Sequence, residues 1–173
     1  ENSQAKKIAE DLLRRILEHD PNALPAMNSL AMLLQITGRS AEAATLYQRI
    51  LTLQSDNVVA INNLAWILCA EQGKYQQALE LAQRGLQFAP DYADLVDTRG
   101  VLYDKLGQYD KAIQDFTRCL ELYPDKTPAK TASYLHLGKV LAKLGQKNEA
   151  VESLKKAIEL NAEIGGLSAT EHA

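Results

Sequence analysis

The chain contains no stretch of about 18 uninterrupted apolar residues, the length a helix needs to cross a bilayer, so direct membrane insertion is not expected. Positive charge is not in excess either. Lys and Arg number 19 against 22 Asp and Glu, a net charge of −3 with a pI near 5.6. A general nucleic-acid or anionic-membrane surface is therefore not expected. Cysteine is scarce: Cys69 and Cys119 stand 50 residues apart with no CxxC and no neighbouring histidine. Two buried free thiols fit that spacing better than a disulfide or a metal site. The three histidines, His19, His136 and His172, are scattered, and none forms a Ser-His-Asp or Cys-His arrangement in the local sequence. There is no glycine-rich phosphate loop, and the carboxylates of "PDYADLVDTRGVLYD" match no calcium loop. No catalytic residue, metal or cofactor is expected, and the chain does not read as an enzyme. Tryptophan occurs once, as Trp66 in "INNLAWILCAEQGKY", beside the adjacent amides Asn62 and Asn63.

What is present is a beat. Apolar residues make up 46% and charged residues 24%, the balance of a folded chain. Glycines recur in "TGRSAEA", "QGKYQQA", "LGQYDKA" and "LGQKNEA", with Gly38, Gly73, Gly107 and Gly145 separated by 35, 34 and 38 residues. Ala43, Ala78, Ala112 and Ala150 keep the same step, and counting back 34 from Ala43 reaches Ala9. A period near 34 built from two helices is the mark of a solenoid. In each unit a first helix carries apolar residues at helical spacing, as in Ile61, Leu64, Ala65 and Leu68. A glycine then takes the left-handed conformation that ends it. A second helix follows, through Ala78, Leu79, Ala82 and Leu86 to "APD", where proline blocks continuation and Asp91 is placed to cap the next helix. Neither helix buries its apolar face alone, so neighbouring units must stack.

These residues resemble the tetratricopeptide repeat family. The third unit follows its pattern through Gly100, Tyr103, Gly107, Tyr109, Ala112, Phe116, Leu120 and Pro124, and the fourth through Tyr134, Leu137, Gly138, Leu141, Gly145, Ala150, Ala157 and Ile158. The resemblance implies an all-α fold, a right-handed α-solenoid of antiparallel helix pairs. It divides the chain into a single array over 1–164, with full repeats at 24–57, 58–92, 93–126 and 131–164. Residues 1–23 hold the second helix of a partial repeat, 127–130 are an extension, and 165–173 form a tail that begins a truncated helix. The first and fourth repeats lack the closing proline, and "DKTPAK", residues 125–130, reads as spacing. In the tail, Ser168 and Glu171 have capping-box spacing. An array that opens on half a unit and closes on a fresh helix start is expected to continue beyond both ends.

The resemblance further implies a concave groove lined by the first helices. Carried over place by place, the lining is Asn28, Met32 and Gln35, then Asn62, Trp66 and Cys69, then Asp94, Asp97, Val101 and Asp104, then Leu135, Lys139 and Ala142. The expected surface thus runs from amides, Met32 and Trp66 to carboxylates and then to the cations Lys139 and Lys143. Two readings of Trp66 stay open: buried between first helices, or exposed enough to touch a partner. The family's clamp for C-terminal carboxylates does not fit, because its places hold Asn28, Met32, Asn62, Asp94 and Thr98 without the required cations. Asn63 is similar to one rung of the asparagine ladders of sugar-transferase repeat domains, but Ser29, Thr98 and His136 occupy the other rungs. "NNLAW" and "VDTRG" are also similar to bacterial repeat proteins of exopolysaccharide-export and exosortase-linked systems. The expected function is that of a non-catalytic scaffold holding a peptide or protein segment in the groove. Two other readings remain open: a self-associating assembly module, for which the apolar faces of 8–17 and 151–160 would serve, and the docking or regulatory part of a larger protein, an enzyme or an envelope-secretion component.

Overall fold

The computed structural model describes the backbone of residues 2–170 and the side chains of residues 4–165. Among the described residues there are nine α-helices and no strand. They fall into two compact units, residues 1–73 and 74–173. The first unit holds α1 (Asn2–His19), α2 (Leu24–Ile36), α3 (Ser40–Leu53) and α4 (Val58–Ala70). The second holds α5 (Tyr75–Phe88), α6 (Ala93–Lys105), α7 (Tyr109–Leu122), α8 (Pro128–Lys143) and α9 (Lys147–Thr170). Within each unit successive helices pack on one another, and in the second α6 also touches α8. The expected Ser168–Glu171 cap lies outside the described side chains.

The repeat alanines are sealed in the core. Ala43, Ala78 and Ala112 are fully buried and Ala150 nearly so. In the first unit the core consists of Met27, Leu30, Ala31 and Leu34 of α2, Tyr47 and Ile50 of α3, and Ile61, Leu64, Ala65 and Ile67 of α4. In the second it includes Leu95, Val96 and Leu102 of α6, Phe116 and Cys119 of α7, and Val140 of α8. Each large apolar side chain so buried contributes about 1.5–3 kcal/mol relative to exposure. Two glycines serve packing rather than turns. A Cβ on Gly100 would lie 2.7 Å from Cε1 of Phe116, and one on Gly138 would lie 2.8 Å from Cγ of Leu154.

The four turn glycines have positive φ, as the beat predicts. At Gly107 φ is 71°, and the following amide, Gln108 N–H, donates to the carbonyl of Tyr103 at 2.8 Å, closing α6 with a bond that spans the turn. Nothing lies within 4 Å of where its Cβ would be, so only backbone conformation opposes a side chain. Gly107→Val should therefore cost about 1–2 kcal/mol, with Gly107→Asn costing less. Urea denaturation midpoints check this, and an unchanged midpoint for the valine variant would contradict it.

Helix starts depart from expectation at two places. Asp91 does not cap α6. Tyr92 occupies the cap position with no side-chain bond, and the Asp91 carboxylate pairs instead with Arg118 of α7. A guanidinium brought in from the neighbouring helix competes with the local backbone for the same carboxylate. Within "DKTPAK", Thr127 accepts from the Lys130 amide at 3.2 Å and Pro128 opens α8, so residues 128–130 form an extra helical turn. By contrast Asn57 caps α4, accepting from the Ala60 amide at 3.0 Å.

Candidate binding faces

In the first unit, α2 reads LPAMNSLAMLLQI and α4 reads VVAINNLAWILCA, so neither helix contains a charged residue. On α2, Asn28, Met32 and Gln35 form one stripe at helical spacing, with Ile36 beside it. On α4, Val59, Asn62, Asn63 and Trp66 form another. Tyr47 of α3 places the two stripes side by side. Its hydroxyl donates to Gln35 Oε1 at 3.2 Å and is also hydrogen-bonded by the Asn63 side chain. Burial pushes the phenol up to about 12, and the Asn63 bond only partly opposes that, so the hydroxyl stays protonated.

The surface so defined is apolar with fixed amides. Trp66 is 40% exposed and Met32 55% exposed, and Ile36 and Val59 are exposed beside them. The indole of Trp66 is thus only partly covered. Asn28 is half-buried, and its Oδ1 is wholly buried without a hydrogen-bond partner. Asn62, on the α4 stripe, is half-buried. Cys69 corrects the expected lining: it lies on the same helical face as Asn62 and Trp66, three residues after the latter, yet is only 4% exposed, its small side chain covered near the end of α4.

In the second unit, α6 and α8 carry the remaining lining residues, and the expected open carboxylates are already engaged. Asp94 accepts from the Tyr123 hydroxyl at 2.7 Å. Asp97 Oδ1 accepts from Ser133 Oγ at 3.2 Å and lies 3.4 Å from His136 Nδ1. Asp104 receives Lys143 Nζ on both oxygens, at 2.5 and 2.7 Å. The carboxylates of the expected anionic stretch are therefore each bonded within the unit, Asp104 as the ion pair with Lys143. Val101 is half-buried, Leu135 is 38% exposed, and Lys139 is exposed and forms no ion pair among the described residues. The burial that surrounds Tyr123, and then its bond to Asp94, raise its phenol well above the ordinary range.

Missed from sequence was the ion pair between α6 and α7. Arg99 donates to both oxygens of Asp115, at 2.8 and 2.7 Å, with the Asp115 side chain only 7% exposed. Its signal was an acidic residue on an apolar helix face one position before Phe116. Among the described residues neither cysteine is in a disulfide, both are buried, and burial raises the thiol of Cys119. No three His, Cys, Asp or Glu side chains among the described residues gather as a metal ion would need. No described helix is long and apolar enough to cross a membrane.

Successive helices joined by positive-φ glycine turns, with a buried alanine five residues after each such glycine, define a helical-repeat protein. Four tetratricopeptide repeat family models match the chain, over residues 7–58, 46–80, 66–135 and 131–164. The chain is a tetratricopeptide repeat protein, with the all-α solenoid fold of that family. Among solved structures, a crystal structure of MamA is similar with a TM-score of 0.77 and 22% identity, covering 95% of this chain and 94% of that one. MamA from Desulfovibrio magneticus RS-1 also reaches 0.77 at 21% identity, covering 94% and 89%. At that identity the likeness speaks to fold alone. Among curated proteins, a UDP-N-acetylglucosamine--peptide N-acetylglucosaminyltransferase of Giardia intestinalis is 35% identical over 79 residues, 46% of this chain and 5% of the enzyme. The general transcriptional corepressor trfA of Dictyostelium discoideum is 32% identical over 108 residues, 61% and 8% respectively. A DnaJ homolog subfamily C member 7 homolog of Schizosaccharomyces pombe is 30% identical, covering 92% of this chain and 35% of that protein. The chain thus spans about a third or less of these relatives.

Proposed function

We propose that this protein is a non-catalytic scaffold whose first-helix faces hold a segment of another protein, and that the first unit takes a stretch without charged side chains. The observation that carries this reading is the composition of α2 and α4. They carry no charge, yet leave Met32, Ile36, Val59 and Trp66 open to solvent between amides. A charged ligand side chain placed there would lose water and find no counter-charge, a cost that apolar contacts do not return. Apolar side chains gain from the indole and thioether surfaces, while the half-buried Asn62 amide suits a ligand backbone, having both donor and acceptor.

A display library of random dodecapeptides selected on the chain tests this. Recovered peptides should be depleted in Asp, Glu, Lys and Arg. The double variant Asn62→Ala with Trp66→Ala should bind them about 30-fold more weakly or worse, as loss of a central aromatic anchor of about 2 kcal/mol implies. Unchanged affinity with helicity retained would contradict the groove, and peptides rich in charge would contradict the chemistry assigned to it. A second reading makes the array the docking part of a larger enzyme or envelope-secretion protein. The relatives favour it, since they carry the matching segment within much longer chains, and the phrases "NNLAW" and "VDTRG" favour the envelope setting.

A further inference from the structure

Two helices of this chain have apolar arcs wider than their neighbours cover. On α1, Ala9, Leu13 and Leu17 are half-buried, and α2 is the helix packed against α1. Directly beside that stripe Ile8, Leu12 and Ile16, four residues apart, stay 51%, 54% and 48% exposed. On α9, Ala150 and Ala157 are buried while Ile158 is 69% exposed. Ile158 borders an apolar groove of about 540 Å³ between α8 and α9, whose walls include Leu135, Leu154 and Ala157. Leu135, expected on the peptide-binding surface, belongs to this groove.

The second unit itself shows what such a groove accepts. The step of 38 residues from Ala112 to Ala150 carries Phe116 to Leu154, Cys119 to Ala157 and Leu120 to Ile158. One repeat earlier, then, the equivalent groove lies between α6 and α7, and it is filled by a helix. There α8 packs on α7 and also touches α6, Cys119 is fully buried, and the Ser133 hydroxyl of α8 reaches its thiol. The occupant of the α8–α9 groove, by the same packing, is a helix with an apolar stripe. Among the described residues the helix that carries such a stripe uncovered is α1. The lengths agree: Ile8 to Ile16 spans about 12 Å at 1.5 Å per residue, and the groove walls Pro128–Leu135 and Leu154–Asn161 each span about 10 Å.

We propose that copies of this chain join head to tail, with the Ile8–Leu12–Ile16 stripe of one copy seated in the α8–α9 groove of the next. The contact is heterologous, since donor and acceptor are different surfaces of the same chain. It uses neither α2 nor α4, so the inner face of the first unit stays available for a segment of another protein.

Leu12→Glu breaks the donor stripe and Ile158→Glu breaks the acceptor groove. Both side chains are at least half-exposed, so each variant should keep the helicity and melting temperature of the parent. Light scattering should show the parent's mean mass rising with concentration, and each variant alone should remain a monomer. Mixed in equal amounts, the two variants should form a one-to-one dimer that grows no further, because Leu12→Glu keeps its groove and Ile158→Glu keeps its stripe. A parent that stays monomeric at millimolar concentration overturns the proposal, including the case in which the groove binds only another protein. So does a variant that still assembles alone, or a pair that fails to combine, which would indicate a symmetric contact or none.

Discussion

Phe116→Ala should destabilise the second unit by about 3–5 kcal/mol. The ring is 1% exposed and serves three helices at once. It extends from α7 to the Cβ-less surface of Gly100 on α6, where a single added carbon would come within 2.7 Å, and its centroid lies 5.1 Å from that of His136 on α8. Removing it leaves a cavity whose walls are the backbone of α6 and side chains fixed by their own packing, so collapse is limited and the cost falls in the upper range for a core aromatic. Restoring volume from the opposite wall shows whether lost packing is the cause. Gly100→Ala on its own should be destabilising because of the close approach, but in the Phe116→Ala background it should return part of the lost stability. Urea denaturation monitored by circular dichroism gives both quantities. A cost below about 1 kcal/mol for Phe116→Ala would mean that α6, α7 and α8 do not share this contact.

The second large effect comes from charge. Asp115→Ala should cost about 3 kcal/mol, the low end of the range for stranding one partner of a buried pair, because Arg99 keeps 25% of its side-chain exposure and can rehydrate in part. The loss arises chiefly from an arginine deprived of two charge-assisted hydrogen bonds rather than from the attraction itself. Removing both partners should therefore be far milder: Arg99→Met with Asp115→Leu should lie near the parent or above it. If the double variant loses as much as the single one, the pair holds α6 on α7 through geometry that apolar packing does not replace. Arg99 lies 5.8 Å over the Tyr103 ring, so Tyr103 belongs in the same mutant cycle.

Much of the architecture was legible because each turn glycine is followed by an alanine at the same five-residue spacing, although the repeat step itself varies from 34 to 38. Ala43, Ala78, Ala112 and Ala150 mark buried core positions, and the glycines five residues before them mark turns with positive φ. The binding faces were legible only as positions on helices. Helical spacing placed Met32 and Trp66 outward, where the structure also has them, but it could not set the depth at which Cys69 sits near the end of α4. Nor could it show that Asp94, Asp97 and Asp104 are occupied, because their partners Tyr123, His136 and Lys143 stand 29, 39 and 39 residues further along the chain. Pairing across repeats is decided by which side chains the stacking brings within reach. For the same reason Asp91 turned from a helix cap into the partner of Arg118.

If a partner segment lies on the uncharged face of α2 and α4, Trp66 reports on it directly. It is the chain's sole tryptophan and is 40% exposed, so its emission belongs to one place on that face. Titration with the tightest dodecapeptide from the library should shift that emission to the blue and protect it from acrylamide quenching as water leaves the indole, with a midpoint equal to the calorimetric Kd. Binding by calorimetry with unchanged Trp66 emission and quenching would contradict a partner site on this face.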